Sequence, residues 1–138
     1  PFVAPYSMSK FALRAFADAL RVELRPAGIG VSLVEPSAVK TLIWSKGRDS
    51  RDALLALLPP QAMERYGTQM EAMFAQVGRE ESRAMPVETV ARAILHAVTA
   101  RKPRARYLLG KGARAGSVVA LLPTALRDRA LRASMRLP

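Results

Sequence analysis

The chain is 138 residues long, half of them hydrophobic, with a formal net charge of +11 and no cysteine. That length suits about one domain, and the apolar share excludes wholesale disorder. Disulfide frameworks and thiolate chemistry are excluded, and with His96 the single histidine, no metal centre is expected.

The elements follow in chain order. Residues 7–25 read as a helix: Arg14, Asp18, Arg21 and Arg25 repeat at helical spacing as one narrow polar stripe, and Phe11, Leu13, Phe16, Ala17, Leu20, Val22 and Leu24 fill most of the remaining circumference. Such a helix needs cover on more than one side. Tyr6 and Lys10, four residues apart at its start, fall on one face. A phenol of unperturbed pKa near ~10 exchanges protons poorly at neutral pH, and a neighbouring ammonium favours the phenolate. The pair is therefore a candidate for proton transfer at a substrate oxygen, beside the plainer reading of an amphipathic helix that happens to carry both.

Pro26-Ala27-Gly28 ends the helix, and residues 31–35 read as a short strand closed by Pro36-Ser37. Residues 37–48, with Trp44 and Gly47, read as irregular. Helices are expected at 49–58 and about 60–77, split by Pro59-Pro60. The second carries Met63, Tyr66, Met70, Met73 and Phe74, either as ordinary packing or as a flexible apolar cover for a hydrophobic substrate. A further helix is expected at 87–100, with Pro86 before it and Glu88 in its first turn. Residues 105–109 form a second strand ended by Gly110, and 117–136 a last helix interrupted at Pro123. His96 is expected to be structural.

Two strands joined by some seventy mostly helical residues point to an α/β fold with a parallel pair and a crossover. Parallel strands are normally buried on both faces, so further neighbours are expected, from more chain upstream or from another subunit. The domain organisation reads as a single partial domain. Residues 1–41 hold the first helix, strand and following loop; 42–83 a helical segment; 84–110 a helix and the last strand; and 111–138 a basic tail or helix.

That tail carries most of the charge. Residues 1–100 hold 12 basic and 10 acidic side chains; residues 101–138 hold 10 basic and one acidic, Asp128. A basic tail suits a membrane surface or an acidic partner, and peripheral membrane contact through 111–138 is one expectation, against the plainer one of a solvated arginine-rich helix. No aromatic residue follows Tyr107, so no nucleic-acid partner is expected. No apolar run approaches the ~18–20 residues of a membrane span, and no basic-then-apolar leader precedes the first helix. A cytoplasmic location is the expectation.

Three stretches, Pro5-Tyr6-Ser7-Met8-Ser9-Lys10-Phe11-Ala12-Leu13, Leu24-Arg25-Pro26-Ala27-Gly28-Ile29-Gly30-Val31 and Glu35-Pro36-Ser37-Ala38-Val39-Lys40-Thr41, resemble in order and spacing the C-terminal half of a short-chain dehydrogenase/reductase. The match is strongest over residues 1–45 and looser over 80–110. The resemblance implies part of a Rossmann-type doubly wound parallel sheet that binds NAD or NADP. It also implies hydride transfer between that cofactor and a small hydrophobic alcohol or ketone. It makes Tyr6 the general acid/base. Lys10 would bind the nicotinamide ribose and supply charge to the phenol. Pro36 would shape the loop beside the nicotinamide, and Val39 through its backbone and Thr41 through its hydroxyl would bind the carboxamide. Residues 42–83 become the substrate-covering segment, and homo-oligomers paired through the Tyr6 helix are expected.

Some features depart from the family pattern. Ser37 stands where the family usually has glycine. The glycine-rich cofactor turn, the catalytic serine upstream of the tyrosine, the structural asparagine and the selector of the cofactor's 2′ position are missing, and Gly110, Gly112 and Gly116 only imitate a glycine-rich turn. The chain alone is expected to be inactive. The alternative reading is a non-catalytic remnant whose basic tail makes it an interaction module.

Overall fold

The computed structural model describes residues 3–135. Among these the element order is α1 (Ala4–Glu23), a 3-10 turn (Arg25–Ala27), β1 (Leu33–Pro36), α2 (Ile43–Leu57), α3 (Pro60–Ser82), α4 (Val87–Thr99), β2 (Arg106–Leu109), α5 (Lys111–Val119) and α6 (Thr124–Met135). β1 and β2 pair in parallel, Leu33 opposite Arg106 through Pro36 opposite Leu109. Helices and a parallel pair in this order are a portion of a Rossmann-type α/β fold. The last three residues of the basic tail lie outside the described residues.

The chain divides into two compact units. One takes the chain up to Ser37 and then Pro86–Arg114; the other takes Ala38–Met85 and the chain from Ala115 onward.

The first unit is built around the strand pair. α1 starts at Ala4, three residues earlier than the apolar pattern predicts, because Pro5 sits in its first turn, where a missing N–H costs nothing. The helix gives way to the 3-10 turn, capped by Gly28 in the left-handed region at φ 71°, a conformation that an L side chain adopts only with strain. The buried apolar residues here are Ala17 of α1, Leu33 of β1, Ala93 of α4 and Tyr107 of β2. The small Ala93 lets α4 approach both strands. Tyr107, 5 % exposed, is held by its hydroxyl, which accepts the Arg104 amide at 3.1 Å and pairs with His96 Nδ1 at 2.7 Å. The imidazole meets the phenol ring edge-on, centroids 5.7 Å apart. His96 is thus structural, as its helix suggested. Phe11, Phe16 and Val22 of α1 stay exposed.

In the second unit, residues 43–48 are helical, correcting the irregular stretch expected there. The start of α2 is secured by bonds that composition does not reveal: Lys46 N–H to the Leu42 carbonyl at 3.2 Å, and Ser45 Oγ to the same carbonyl at 3.0 Å. α3 runs to Ser82, past the expected end at 77. Gln76 bonds Glu80 at 3.0 Å and receives Arg79 at 2.7 and 3.1 Å, which braces the turns around Gly78. Met70 and Ala84 are the buried apolar residues of this unit.

The region after β2 also differs from expectation. Gly110 takes φ 87°, and a helix begins at once at Lys111, so Gly112 and Gly116 lie within α5 rather than in a loop. Pro123 separates α5 from α6, where the interruption was expected. No helix among the described residues is long and apolar enough to cross a membrane.

Candidate active site

Tyr6 and Lys10 lie one turn apart on α1, and both are exposed, Tyr6 by 64 %. Lys10 Nζ stands 5.2 Å from the centroid of the Tyr6 ring, within reach of a cation–π attraction. Ser9 between them bonds its own helix, Oγ to the Tyr6 carbonyl at 2.7 Å, the back-bonding typical of serine in a helix. Ser7 stands within α1, and its amide bonds the Val3 carbonyl at 2.8 Å.

Pro36 closes β1 in the same unit, at the carboxyl end of the strand, the end at which open α/β sheets bind ligands. Ser37 donates its N–H to the Leu109 carbonyl at 2.9 Å. The residue that departs from the family pattern therefore extends the ladder by one bond. Glu35, just before the proline, accepts Arg106 in a forked pair, Nε to Oε2 at 2.6 Å and Nη2 to Oε1 at 3.0 Å. The carboxylate pushes the Arg106 guanidinium further up from its already high value, chiefly through these hydrogen bonds.

Val39 and Thr41 belong to the second unit. Val39 bridges in parallel to Met85, with Met85 N–H to the Ala38 carbonyl and Lys40 N–H to the Met85 carbonyl, both at 2.9 Å. The Trp44 indole donates to the Val39 carbonyl at 2.7 Å. This bond fixes the loop that carries both residues, and its only sequence signal was a tryptophan five positions on. Thr41 is exposed. On the same unit the Arg51 guanidinium lies 4.4 Å from the centroid of the Phe74 ring.

A shallow depression of about 310 Å³ opens in the first unit among Arg21, Arg25, Gly30, Ser32, Pro103 and Ala105. It sits at the far end of α1 from Tyr6, about 22 Å away by helical rise, and contains none of the expected site residues. No group of three or more His, Cys, Asp or Glu side chains suited to a metal occurs among the described residues.

Comparison with known proteins supplies the class of this α/β chain. The chain belongs to the short-chain dehydrogenase/reductase family, a family of oxidoreductases. The family model described as short chain dehydrogenase matches residues 1–52, a span that includes all five expected site residues. Among individual relatives, the NADPH-dependent 3-dehydrocapnine reductase of Ornithobacterium rhinotracheale is 38 % identical over 79 % of this chain and 36 % of its own length. The 17-beta-hydroxysteroid dehydrogenase type 6 of Rattus norvegicus is 35 % identical over 96 % of this chain and 44 % of its own. Retinol dehydrogenase 5 of Homo sapiens is 35 % identical over 91 % and 42 %. The chain thus spans less than half the length of these relatives.

Proposed function

We propose that this chain is the C-terminal half of an NAD(P)-dependent short-chain dehydrogenase/reductase acting on a hydrophobic alcohol or ketone. It would carry the proton-transfer residues and the nicotinamide-side loop, and would be inactive without the glycine-rich turn and the catalytic serine. The single observation that carries this reading is the Tyr6–Lys10 couple, exposed on one helix with the ammonium near the phenol ring. By chemistry the residue types suit parts of a nicotinamide nucleoside: in the first unit an ammonium at Lys10 for ribose hydroxyls, and in the second a hydroxyl at Thr41 and a backbone amide at Val39 for a carboxamide. The Val39 carbonyl is engaged by Trp44, so the amide is the Val39 group that would serve.

Bound there, the nicotinamide cofactor supplies or accepts the hydride. Tyr6 Oη gives its proton to the carbonyl oxygen in reduction, or takes the alcohol proton in oxidation. Lys10 orients the ribose and offers positive charge beside the phenol. Pro36 shapes the loop, and Val39 and Thr41 hold the carboxamide so that the reacting carbons align. The Met63, Tyr66, Met73 and Phe74 side chains of α3, which are not in the core, support a hydrophobic substrate, and relatives named for retinol and a hydroxysteroid are in keeping with it. The exposed Phe11, Phe16 and Val22 of α1 support pairing between copies.

The test is Tyr6→Phe in the natural full-length polypeptide. Turnover should fall by about a hundredfold or more with the far-ultraviolet circular dichroism unchanged. Unaltered turnover rejects the assigned role.

A further inference from the structure

We propose that the corner between α5 and α6 docks on an anionic bilayer surface. The proposal is independent of the hydride-transfer reading. The observation is a run of branched aliphatic side chains held out from the second unit. Leu121 is 85 % exposed, Leu126 54 %, and Val118 and Leu122 stand with them. Exposed apolar clusters of this kind mark interaction sites more often than chance.

The corner's backbone favours a lipid occupant. Ala120 N–H bonds the Gly116 carbonyl at 2.9 Å, Leu121 N–H the Val118 carbonyl at 3.0 Å, and Leu122 N–H the Val119 carbonyl at 3.1 Å. The amides of residues 120–122 are thus bonded within the chain, and Pro123 has none to bond. The leucines can sink to the boundary between headgroups and acyl chains, where the remaining backbone groups stay within reach of water.

Charge selects the sign of the surface. Residues 115–138, the part of the tail in the second unit, contain four basic side chains and one acidic, and the exposed Arg129 follows the corner within α6. Cations at headgroup level beside inserted aliphatics are the pattern of an interfacial anchor. A second copy of so basic a segment would be repelled. A protein partner usually meets aromatic and methionine anchors, and the exposed apolar side chains of this corner are all leucine or valine.

The experiment is co-sedimentation of the full chain with phosphatidylcholine vesicles, with and without phosphatidylglycerol, at low and high salt. The chain should pellet with phosphatidylglycerol vesicles at low salt, stay in solution with phosphatidylcholine alone, and be released as salt screens the arginines. Leu121→Asp should lower partition by about tenfold, as expected for removing a leucine from the interface and adding a like charge to the surface. Arg129→Glu should weaken it less, and Leu121→Trp should strengthen it. Position 121 is exposed, so circular dichroism should be the same for each variant. Absence of binding to phosphatidylglycerol vesicles at low salt overturns the proposal. So does binding that Leu121→Asp and Leu121→Trp leave unchanged, which would reveal attraction by charge alone.

Discussion

Glu35 and Arg106 meet diagonally across the parallel pair, since Arg106 lies opposite Leu33 and Glu35 opposite Leu108. With strand side chains alternating between faces, both project from the same one, and the fork of two bonds at 2.6 and 3.0 Å joins residues far apart in sequence just before Pro36. Each side chain is 26 % exposed, so the pair is partly shielded from solvent. A double-mutant cycle with Glu35→Ala and Arg106→Ala should give a coupling of about 1–2 kcal/mol in urea unfolding, above that of an open surface pair. Additive losses would show that the fork contributes nothing beyond its separate parts.

The Tyr107 hydroxyl serves two partners inside the first unit. Removing it in Tyr107→Phe strands the Arg104 amide and His96 Nδ1. The expected cost is about 1 kcal/mol, the usual net worth of a hydrogen bond, since His96 and Arg104 are exposed and water can reach the freed groups. Thermal unfolding of the variant measures it, and an unchanged midpoint would mean that water replaces the hydroxyl freely.

Lys10→Met in the natural full-length polypeptide should weaken nucleotide binding by about tenfold or more, because hydrogen bonds from charged groups are worth about 1.5–3 kcal/mol. Turnover should fall with it. Calorimetric titration of the nucleotide separates the two effects. Equal affinity in both proteins would remove the ribose role while leaving Tyr6 untouched.

Asp18 is held below its ordinary value of 3.8, first by the hydrogen bond from Arg21, against an opposing desolvation, and further by the charges of Arg21, Arg14 and Arg106. A carboxyl lowered by folding adds stability that is fully present above the unfolded value and disappears as pH falls through the folded one. The Asp18 carboxyl resonance should therefore titrate below 3.8, and Arg21→Met should move its midpoint back up towards that value. A midpoint unaffected by Arg21→Met would exclude the arginine as the cause.

Much of this architecture is visible in the linear chain because its punctuation is strong. Pro36, Pro59-Pro60, Pro86 and Gly110 bound elements where expected, and two short β-rich runs joined by helices led to the parallel pair. Residues 43–48 escaped because Ser45, Lys46 and Gly47 show no apolar period, and the bonds that start the helix run back to Leu42. The onset of α5 escaped because Gly112 reads as loop, although the chain turns helical directly after the left-handed Gly110. For the candidate site, four-residue spacing was enough to put Tyr6 and Lys10 on one face. The Glu35–Arg106 fork needed strand register, and the Trp44 bond to Val39 needed the loop's path, neither of which local pattern encodes.

The helix that carries Tyr6 also determines how robust its partnership with Lys10 is. One α-helical turn, about 6 Å along the axis, sets their separation, so no distant packing has to bring them together. Such a dyad is portable: the residues around it can change, by drift or by engineering, while the ammonium stays in reach of the phenol.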